Sequence, residues 1–211
     1  METKSIVIFG PQGSGKGTQA EILSKKFSLP HISVGELLRQ EIKAKTEIGK
    51  KIGKILNAGK LAPNEITNQA VKNRLEKNDA KTGFIIEGYP RNLNQAEFMD
   101  TIINNYLALE IWISDDEAVK RISQRRTCSN CGAIYHLKYK PPATADICDK
   151  CKTKLIIRDD DKEEAIRQRL NIYHNETEPL LKKYKAKGIY YKIDGMPTIP
   201  EVTKAIMKIF K

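Results

Sequence analysis

Short apolar runs alternate with longer segments of helical periodicity along the chain. The runs are brief and rich in β-branched residues, as in buried strands, and they cover residues 5–9, 83–87, 107–113 and 189–193. The periodic segments predict helices over residues 18–27, 34–39, 49–57, 65–77 and 163–173, after Asp115 and near the C-terminus. The whole stretch 31–61 is predicted to be helical. This alternation indicates an α/β fold with a parallel sheet flanked by helices.

A glycine-rich turn separates the first predicted strand from the first predicted helix. It reads Gly10-Pro11-Gln12-Gly13-Ser14-Gly15-Lys16-Gly17-Thr18. Glycines let backbone N–H groups close round a phosphate without Cβ clashes, and a helix N-terminus adds partial positive charge. Lys16 supplies a mobile full charge for the outer phosphates. The turn therefore predicts a phosphate cradle, rather than a loop that merely carries an exposed lysine.

The composition is that of a soluble globular protein with one domain, or with one core and insertions. The chain has 211 residues, of which 40% are hydrophobic and 30% are charged. It has no apolar run long enough to cross a bilayer and no signal-peptide hydrophobic region, so we expect a cytoplasmic protein without a membrane partner. The net charge of +11 favours anionic partners such as nucleotides or nucleic acid, although dispersed lysines are more often a solvated surface.

All four cysteines fall in one segment, as two Cys-x2-Cys pairs separated by sixteen residues. They are Cys128, Cys131, Cys148 and Cys151. This spacing fits one tetrahedral zinc ion, whereas disulfides, the alternative, are disfavoured in a cytoplasmic chain. Four thiolates fill the coordination sphere and leave no place for a reactive water. The sequence therefore predicts a structural Zn²⁺ that stabilises an insert too poor in apolar residues to build a core of its own.

The motifs together resemble one family. The run from Gly10 to Ala20 is similar to the signature of nucleoside monophosphate kinases, in which glycine follows the lysine, and above all to that of the adenylate kinase family. Ser33-Val34-Gly35-Glu36-Leu37-Leu38-Arg39 and Gly88-Tyr89-Pro90-Arg91 resemble two further motifs of that family. The cysteine segment, with Tyr135-His136 and Pro141-Pro142, resembles the long zinc-bearing lid of bacterial members. The resemblance spans nearly the whole chain.

This resemblance implies a fold and a division of the chain. The implied core is a three-layer P-loop NTPase-type domain, with a parallel sheet between helices, formed by residues 1–32, 63–123 and 162–211. A small helical insert that binds the nucleoside monophosphate is implied for residues 33–62. A zinc-binding lid is implied for residues 124–161. Asp160 and Asp161 match an acidic pair that we expect to clasp the hinge of this lid.

The resemblance also implies an activity, namely reversible Mg²⁺-dependent phosphoryl transfer from ATP to AMP, which yields two ADP, by a protein expected to be a monomer. The cations expected to serve catalysis are Lys16, Arg39, Arg91, Arg125, Arg158 and Arg169. The expected ATP-binding residues are Gly13, Ser14, Gly15, Lys16, Gly17, Thr18, Arg121, Arg125, Tyr135 and His136. The expected AMP-binding residues are Ser33, Val34, Arg39, Gly88, Arg91, Gln95, Arg158 and Arg169.

Three positions bear on the substrate and the metal. Val34 stands where the family usually has a threonine near the acceptor base, while Gln95 matches the glutamine that reads adenine. Glu87 replaces the aspartate that holds the magnesium shell through water.

Arg121 and Arg125 are predicted four residues apart on one helix face, where like charges repel, so an anion is expected between them.

Other interpretations remain open for several of these residues. Arg39 also suits a solvated helix face, His136 the packing of the lid, and Gln95 the cap of the next helix. A UMP/CMP kinase is the closest alternative activity, prompted by Val34 and by Asn92. A nucleic-acid-binding zinc ribbon is the remote one. It is disfavoured because Tyr135 and Tyr139 are the only aromatic residues of the cysteine segment, so no nucleic-acid partner is expected.

Overall fold

A computed structural model describes residues 5–210, and its elements follow one another as strands and helices in alternation. The strands are β1 (Ile6–Phe9), β2 (His31–Ser33), β3 (Ile85–Glu87), β4 (Leu107–Trp112), β5 (Arg125–Cys128), β6 (Ile134–His136), β7 (Leu155–Ile156) and β8 (Tyr190–Asp194). The helices are α1 (Lys16–Phe27), α2 (Val34–Lys43), α3 (Glu47–Asn57), α4 (Asn64–Leu75), α5 (Leu93–Ile102), α6 (Asp115–Ser123), α7 (Glu163–Ile172), α8 (Leu180–Ala186) and α9 (Ile199–Met207). Within the described residues, no helix has the length and hydropathy of a membrane span.

Five parallel strands form the central sheet, in the order β2-β3-β1-β4-β8. Along β1 the side chains alternate between two hydrophobic clusters. Val7 and Phe9 pack into the cluster on one face, and Ile6 and Ile8 pack into the cluster on the other. Both faces are covered, as expected for parallel strands that are apolar throughout. The predicted α/β fold, a three-layer core of the P-loop NTPase type, is therefore confirmed.

A second sheet lies inside the cysteine segment. Its three antiparallel strands run in the order β6-β5-β7, and its small core consists of Cys128, Tyr135, Cys148 and Leu155. The sheet touches the rest of the molecule through polar contacts on two sides. Lys43 of α2 donates a hydrogen bond to the Asn130 carbonyl at 2.8 Å, and Lys140 lies 3.5 Å from the carboxylate of Glu21 on α1.

The structure corrects several predicted elements. Residues 31–33 form the edge strand β2 rather than a helix, because their main chain pairs in register with β3, Ile32 opposite Ile86. Helix α1 begins at Lys16, two residues earlier than predicted, because Gly15 adopts the left-handed conformation at its N-cap. Helix α6 ends at Ser123, so Arg121 and Arg125 do not share a helix face.

Helix α7, which follows the second sheet along the chain, is tied to the central sheet by a buried carboxylate. Glu110 of β4 is 2% exposed and accepts a hydrogen bond from the hydroxyl of Tyr173 at 2.8 Å and another from that of Tyr190. Tyr173 opens a π-helical segment, Tyr173–Thr177, that continues α7. In the same segment, the Thr177 hydroxyl donates to the Arg91 carbonyl at 2.7 Å. These contacts fix α7 and the loop after β3 relative to each other.

Candidate active site

The glycine-rich turn forms a cradle between the end of β1 and the start of α1. A Cβ at Gly10 would lie 2.1 Å from the carbonyl oxygen of Ile111, so only glycine fits there. Gly15 has a φ of 92°, and a Cβ built on it meets nothing within 4 Å, so it faces open space. No described side chain caps α1. The N–H groups of its first turn are therefore available to an anion.

Two side chains of the cradle have unusual surroundings. The Ser14 hydroxyl is buried and has no hydrogen-bond partner among the described residues. The Lys16 ammonium donates to the carbonyls of Gly10 and Pro11, both at 2.7 Å. Burial lowers the pKa of Lys16 to about 7, against the opposing field of Glu87. Ser14 thus has an unpaired hydroxyl among the described residues, and the Lys16 amine is held against the loop that carries it.

The carboxyl ends of β1, β2 and β3 lie side by side at this point, because Ser33 pairs with Glu87 and Ile8 pairs with Glu87 from the other side. Glu87 is partly buried close to α1: a Cβ on Gly17 would lie 4.0 Å from its Oε1. Burial raises the pKa of Glu87, but Lys16 and a hydrogen bond from Ser33 outweigh it and hold the pKa below the usual value. Glu87 is therefore an anion beside the cradle.

One large cavity gathers cations from every part of the fold. It extends from the cradle to the second sheet and α7, and the predicted catalytic residues all line it: Lys16, Arg39, Arg91, Arg125, Arg158 and Arg169. Gly13, Ser14, Gly15, Gly17, Thr18, Ser33, Glu87, Gly88 and Arg121 also line it. Such a concentration of guanidinium groups around a backbone anion site favours a ligand with several phosphates.

An acidic pair at the end of the lid segment holds three of these arginines. Asp160 accepts from Arg158, and also from Arg169 at 2.9 Å. Asp161, of which only 1% of the side chain is exposed, accepts from Arg125 at 2.8 Å. Burial acts to raise the pKa of Asp160, but these arginines hold it well below its usual range. The pair thus connects α7 to the start of β5.

The prediction that Arg121 and Arg125 share one helix face is wrong, whereas the anion expected between them stays a prediction. Arg121 forms an ion pair with Glu117 at 2.7 Å and donates to the carbonyls of Gly195 and Met196. Arg125 forms its ion pair with Asp161. Each guanidinium therefore has its own carboxylate partner. The spacing of four residues does not place the two arginines on one helix face.

One end of the cavity is built by the lid sheet and the loop after β8. The Nδ1 atom of His136 accepts from the N–H groups of Lys138 and Tyr139, at 3.1 and 3.2 Å, so a neutral ring carries its proton on Nε2. That Nε2 atom is buried and unpartnered among the described residues. His136, Tyr139 and the segment 195–199 line the cavity together, apart from Met196. The sequence analysis did not include Tyr139 or this segment among the candidate site residues. The segment could have been found because it directly follows a parallel strand, where ligands bind in open sheets.

Tyr135 has a different environment from the one expected. Its side chain is buried in the core of the lid, where its hydroxyl accepts from the Asp149 N–H at 2.8 Å and lies 3.4 Å from the sulfur of Cys148. Tyr135 is among the residues along the cavity, but its one polar atom is committed to the cysteine site. The structure therefore does not place its hydroxyl for contact with ATP.

A second, smaller cavity opens beside the first. The residues that line both cavities are Gly35, Arg39, Gly59, Leu61, Gly88, Arg91 and Arg169, and those that line only the small one include Val34, Leu38, Leu56, Thr67 and Gln95. Gln95 is 2% exposed; its Oε1 accepts from the Arg91 N–H at 2.9 Å and its Nε2 donates to Asn64 at 3.0 Å. The cavity thus combines arginine side chains with an apolar wall and a buried amide.

The four cysteines converge on one point. Their sulfur atoms all lie within 4.8 Å of one another, and none of the four forms a disulfide. Four thiolates about 2.3 Å from a zinc ion would lie roughly 3.8 Å apart. The observed separations, with 3.3 Å between Cys128 and Cys151 and 3.5 Å between Cys131 and Cys148, are close to this geometry. The residues therefore fit a tetrahedral metal ion and not the disulfide alternative.

Comparisons with known proteins agree with this geometry. The family model described as adenylate kinase matches residues 8–189. The chain is 44% identical to an adenylate kinase of Caldicellulosiruptor bescii, over 96% of this chain and 97% of the relative. It is 43% identical to one of Archaeoglobus fulgidus, over 98% of both chains. A Streptomyces avermitilis adenylate kinase is 42% identical, over 98% of this chain and 96% of the relative. Matches of this extent establish that the chain belongs to the adenylate kinase family.

Proposed function

We propose that this protein catalyses reversible phosphoryl transfer between Mg²⁺·ATP and AMP, giving two ADP. The observation that carries the proposal is the junction of two cavities at one group of cations. ATP occupies the large cavity, with its phosphates on the cradle, and AMP occupies the small one. Arg39, Arg91 and Arg169 line both cavities. They are therefore available to the phosphate that moves from one nucleotide to the other.

Phosphoryl transfer requires alignment and positive charge more than covalent chemistry. Lys16 and the N–H groups of the cradle hold the phosphates of ATP, while the arginines neutralise the charge that builds up on the transferred group. The acceptor is already an anionic phosphate, so no general base is required. The lid and the helical insert, for which we propose residues 124–161 and 33–62, cover the junction and exclude water, which would otherwise accept the phosphoryl group.

Magnesium belongs beside Glu87. The carboxylate is ionised, lies at the carboxyl end of β3 and is close to the first turn of α1, which suits a hard cation held partly through water. A magnesium ion bound there with ATP would neutralise part of the charge on the phosphates. Glu87 is one methylene longer than the usual aspartate, a difference that water between the carboxylate and the ion would absorb.

The proposed activity is tested by measuring ADP formation from ATP with AMP, UMP, CMP and GMP in turn. We expect AMP to be the preferred acceptor, because Gln95 is buried at the end of the small cavity with both amide atoms held in place. A preference for UMP or CMP would transfer the assignment to the pyrimidine branch. Absence of phosphoryl transfer to every monophosphate would overturn the proposal.

Binding of ATP at pH 8 is expected to take up close to one proton. In the free protein the pKa of Lys16 is lowered to about 7, mainly by burial, so the amine is largely neutral at pH 8. Phosphate oxygens stabilise the ammonium form, which raises the pKa above 8 and draws a proton from solution. Calorimetric titration in two buffers of different ionisation enthalpy measures this uptake. Lys16→Arg keeps a permanent cation and should abolish it, and equal uptake by both proteins would contradict the assignment.

We propose further that Cys128, Cys131, Cys148 and Cys151 hold a structural Zn²⁺. All four positions are filled by protein thiolates, so the ion supplies cohesion to the lid rather than reactivity. The core of the lid contains little besides two of these cysteines, Tyr135 and Leu155, and depends on the metal for its stability.

Removal of the Tyr135 hydroxyl is expected to speed zinc loss. Because that oxygen accepts from the Asp149 N–H, its own proton is free to point at Cys148, and such bonds to ligand sulfurs hold metal sites in place. In Tyr135→Phe, zinc release to a chromogenic chelator should be about tenfold faster than in the parent protein. Tyr139→Phe is the matched control, since Tyr139 has no contact with the cysteines. Unchanged release from Tyr135→Phe would show that the hydroxyl does not support the site.

A further inference from the structure

Two buried, uncharged polar side chains are among the residues that line the small cavity. Val34, Leu38, Leu56 and Leu61 supply apolar wall, and Gln95 supplies an amide. Thr67 supplies a hydroxyl to the same cavity and is 4% exposed. A buried hydroxyl in an otherwise apolar wall has a strong effect on which ligand atoms can approach it.

Thr67 lies at the same end of the cavity as Gln95. It is in the first turn of α4, one turn after Asn64, so the two residues share a helix face. Asn64 accepts the hydrogen bond from Gln95 at 3.0 Å, which places this face of α4 against the amide. The hydroxyl and the amide therefore border neighbouring parts of the same cavity.

The proton of the Thr67 hydroxyl is already in use. Oγ1 donates to the carbonyl of Pro63 at 3.1 Å, the backward bond that threonine commonly makes within a helix. With its proton directed along the helix, the oxygen presents lone pairs to the cavity. It can accept a hydrogen bond from a ligand amine, whereas a ligand carbonyl would face an oxygen that has no proton to offer.

We propose that Thr67 is a specificity-determining residue that accepts a hydrogen bond from the exocyclic amine of the acceptor base. The proposal rests on the proposed function, since it requires AMP in the small cavity. It also accounts for Val34. The hydroxyl that the family usually carries at that position is absent here, and Thr67 supplies a hydroxyl to the same cavity from α4.

Gln95 alone does not provide the whole selection. Its orientation is fixed, because a flip of the amide would break the bonds to Arg91 and Asn64 together. One N–H and one lone pair are left for the base. Thr67 adds a second acceptor at this edge, so an amine with two hydrogens is satisfied on both sides. A base with an oxo group instead meets two acceptors, which disfavours it.

The test compares AMP with purine riboside 5′-monophosphate, which lacks the amine but keeps the rest of the base. Thr67→Val should lower kcat/KM for AMP about tenfold, the scale of one hydrogen bond in a discriminating site, and leave kcat/KM for purine riboside monophosphate unchanged. Thr67→Ser keeps the hydroxyl and should restore the value for AMP. Thr101→Val is the matched control, because Thr101 makes the same backward bond, to Phe98 at 2.7 Å, on the exposed face of α5.

The outcomes separate this inference from the proposed function. Suppose that the parent protein phosphorylates AMP. If Thr67→Val then lowers kcat/KM equally for AMP and for purine riboside monophosphate, or lowers it for neither, Thr67 is only a packing residue and the inference is overturned. If the parent protein does not phosphorylate AMP, it is the proposed function that fails. With inosine 5′-monophosphate, which has an oxo group, the Thr67→Val variant should discriminate less against the substrate than the parent does. A ratio of AMP to inosine monophosphate that does not change would also contradict the inference.

Discussion

Replacing Arg169 with alanine is expected to lower kcat by on the order of a thousandfold, the range measured when an arginine that stabilises transferred phosphoryl charge is removed. Arg169 lines both cavities, and only 15% of its side chain is exposed. Its charge therefore acts in a poorly solvated space, where electrostatic interactions are strong and water does not replace the missing guanidinium. Steady-state turnover at saturating ATP and AMP measures the effect, and the melting temperature and the zinc content report whether the fold is retained.

The chain provides a matched control on the same helix. Arg167 lies two residues earlier on α7, with 71% of its side chain exposed and an ion pair to Glu163. Arg167→Ala should leave kcat close to the parent value, because exposed pairs of this kind contribute little. Arg169→Lys retains the charge that balances Asp160 and separates loss of catalysis from loss of stability. Near-normal turnover in a folded Arg169→Ala protein would count against the proposed role.

The parts of the site that could be predicted from sequence are those formed by short motifs of residues close together in the chain. The glycine-rich turn is one example, since a strand, a run of glycines and a helix start must form a cradle wherever they occur together. The two cysteine pairs are another, because their spacing brings four sulfur atoms within 4.8 Å of one another. The parallel core was also predictable, since its strands are short and apolar throughout.

Other elements depend on pairing that the local sequence does not record. Strand β2 has only three residues, and its main chain is extended because β3 lies beside it. Strands β5, β6 and β7 have two to four residues each. They are too short and too poor in apolar residues to show the alternating pattern that identifies a strand. Helix α8, of seven residues, was likewise not anticipated.

The ion pairs of the site follow the same principle. Arg125 pairs with Asp161, 36 residues away, and the hydroxyl of Tyr173 reaches Glu110 across 63 residues. Spacing along the chain predicted that Arg121 and Arg125 share one helix face, but α6 ends at Ser123, before Arg125. A charge pattern predicts contacts only while the helix that carries it continues. Contacts between residues far apart in the chain were thus not predictable from sequence, and the roles of the site residues stay predictions.

Loss of zinc is expected to lower the melting temperature by roughly 10 °C, while kcat measured well below that temperature changes far less. Structural zinc supplies about 12 kcal/mol in small peptides, and if about a third of this stabilises the folded state here, the shift follows at about 2–4 °C per kcal/mol. The physical reason is the small core of the lid, in which Cys128 and Cys148 pack with Tyr135 and Leu155. Without the ion these four side chains do not hold three short strands together.

Cys148→Ser and removal of the metal by a chelator under reducing conditions should give the same shift in a calorimetric melt. Ser129→Ala is the matched control, because Ser129 lies exposed between Cys128 and Cys131 and provides no ligand. The metal-free protein should still turn over, since three of the arginines that line the cavity are held by Asp160 and Asp161 and not by the cysteines. A metal-free protein that melts at the parent temperature but is inactive would assign the ion a catalytic role that a closed shell of four thiolates does not allow.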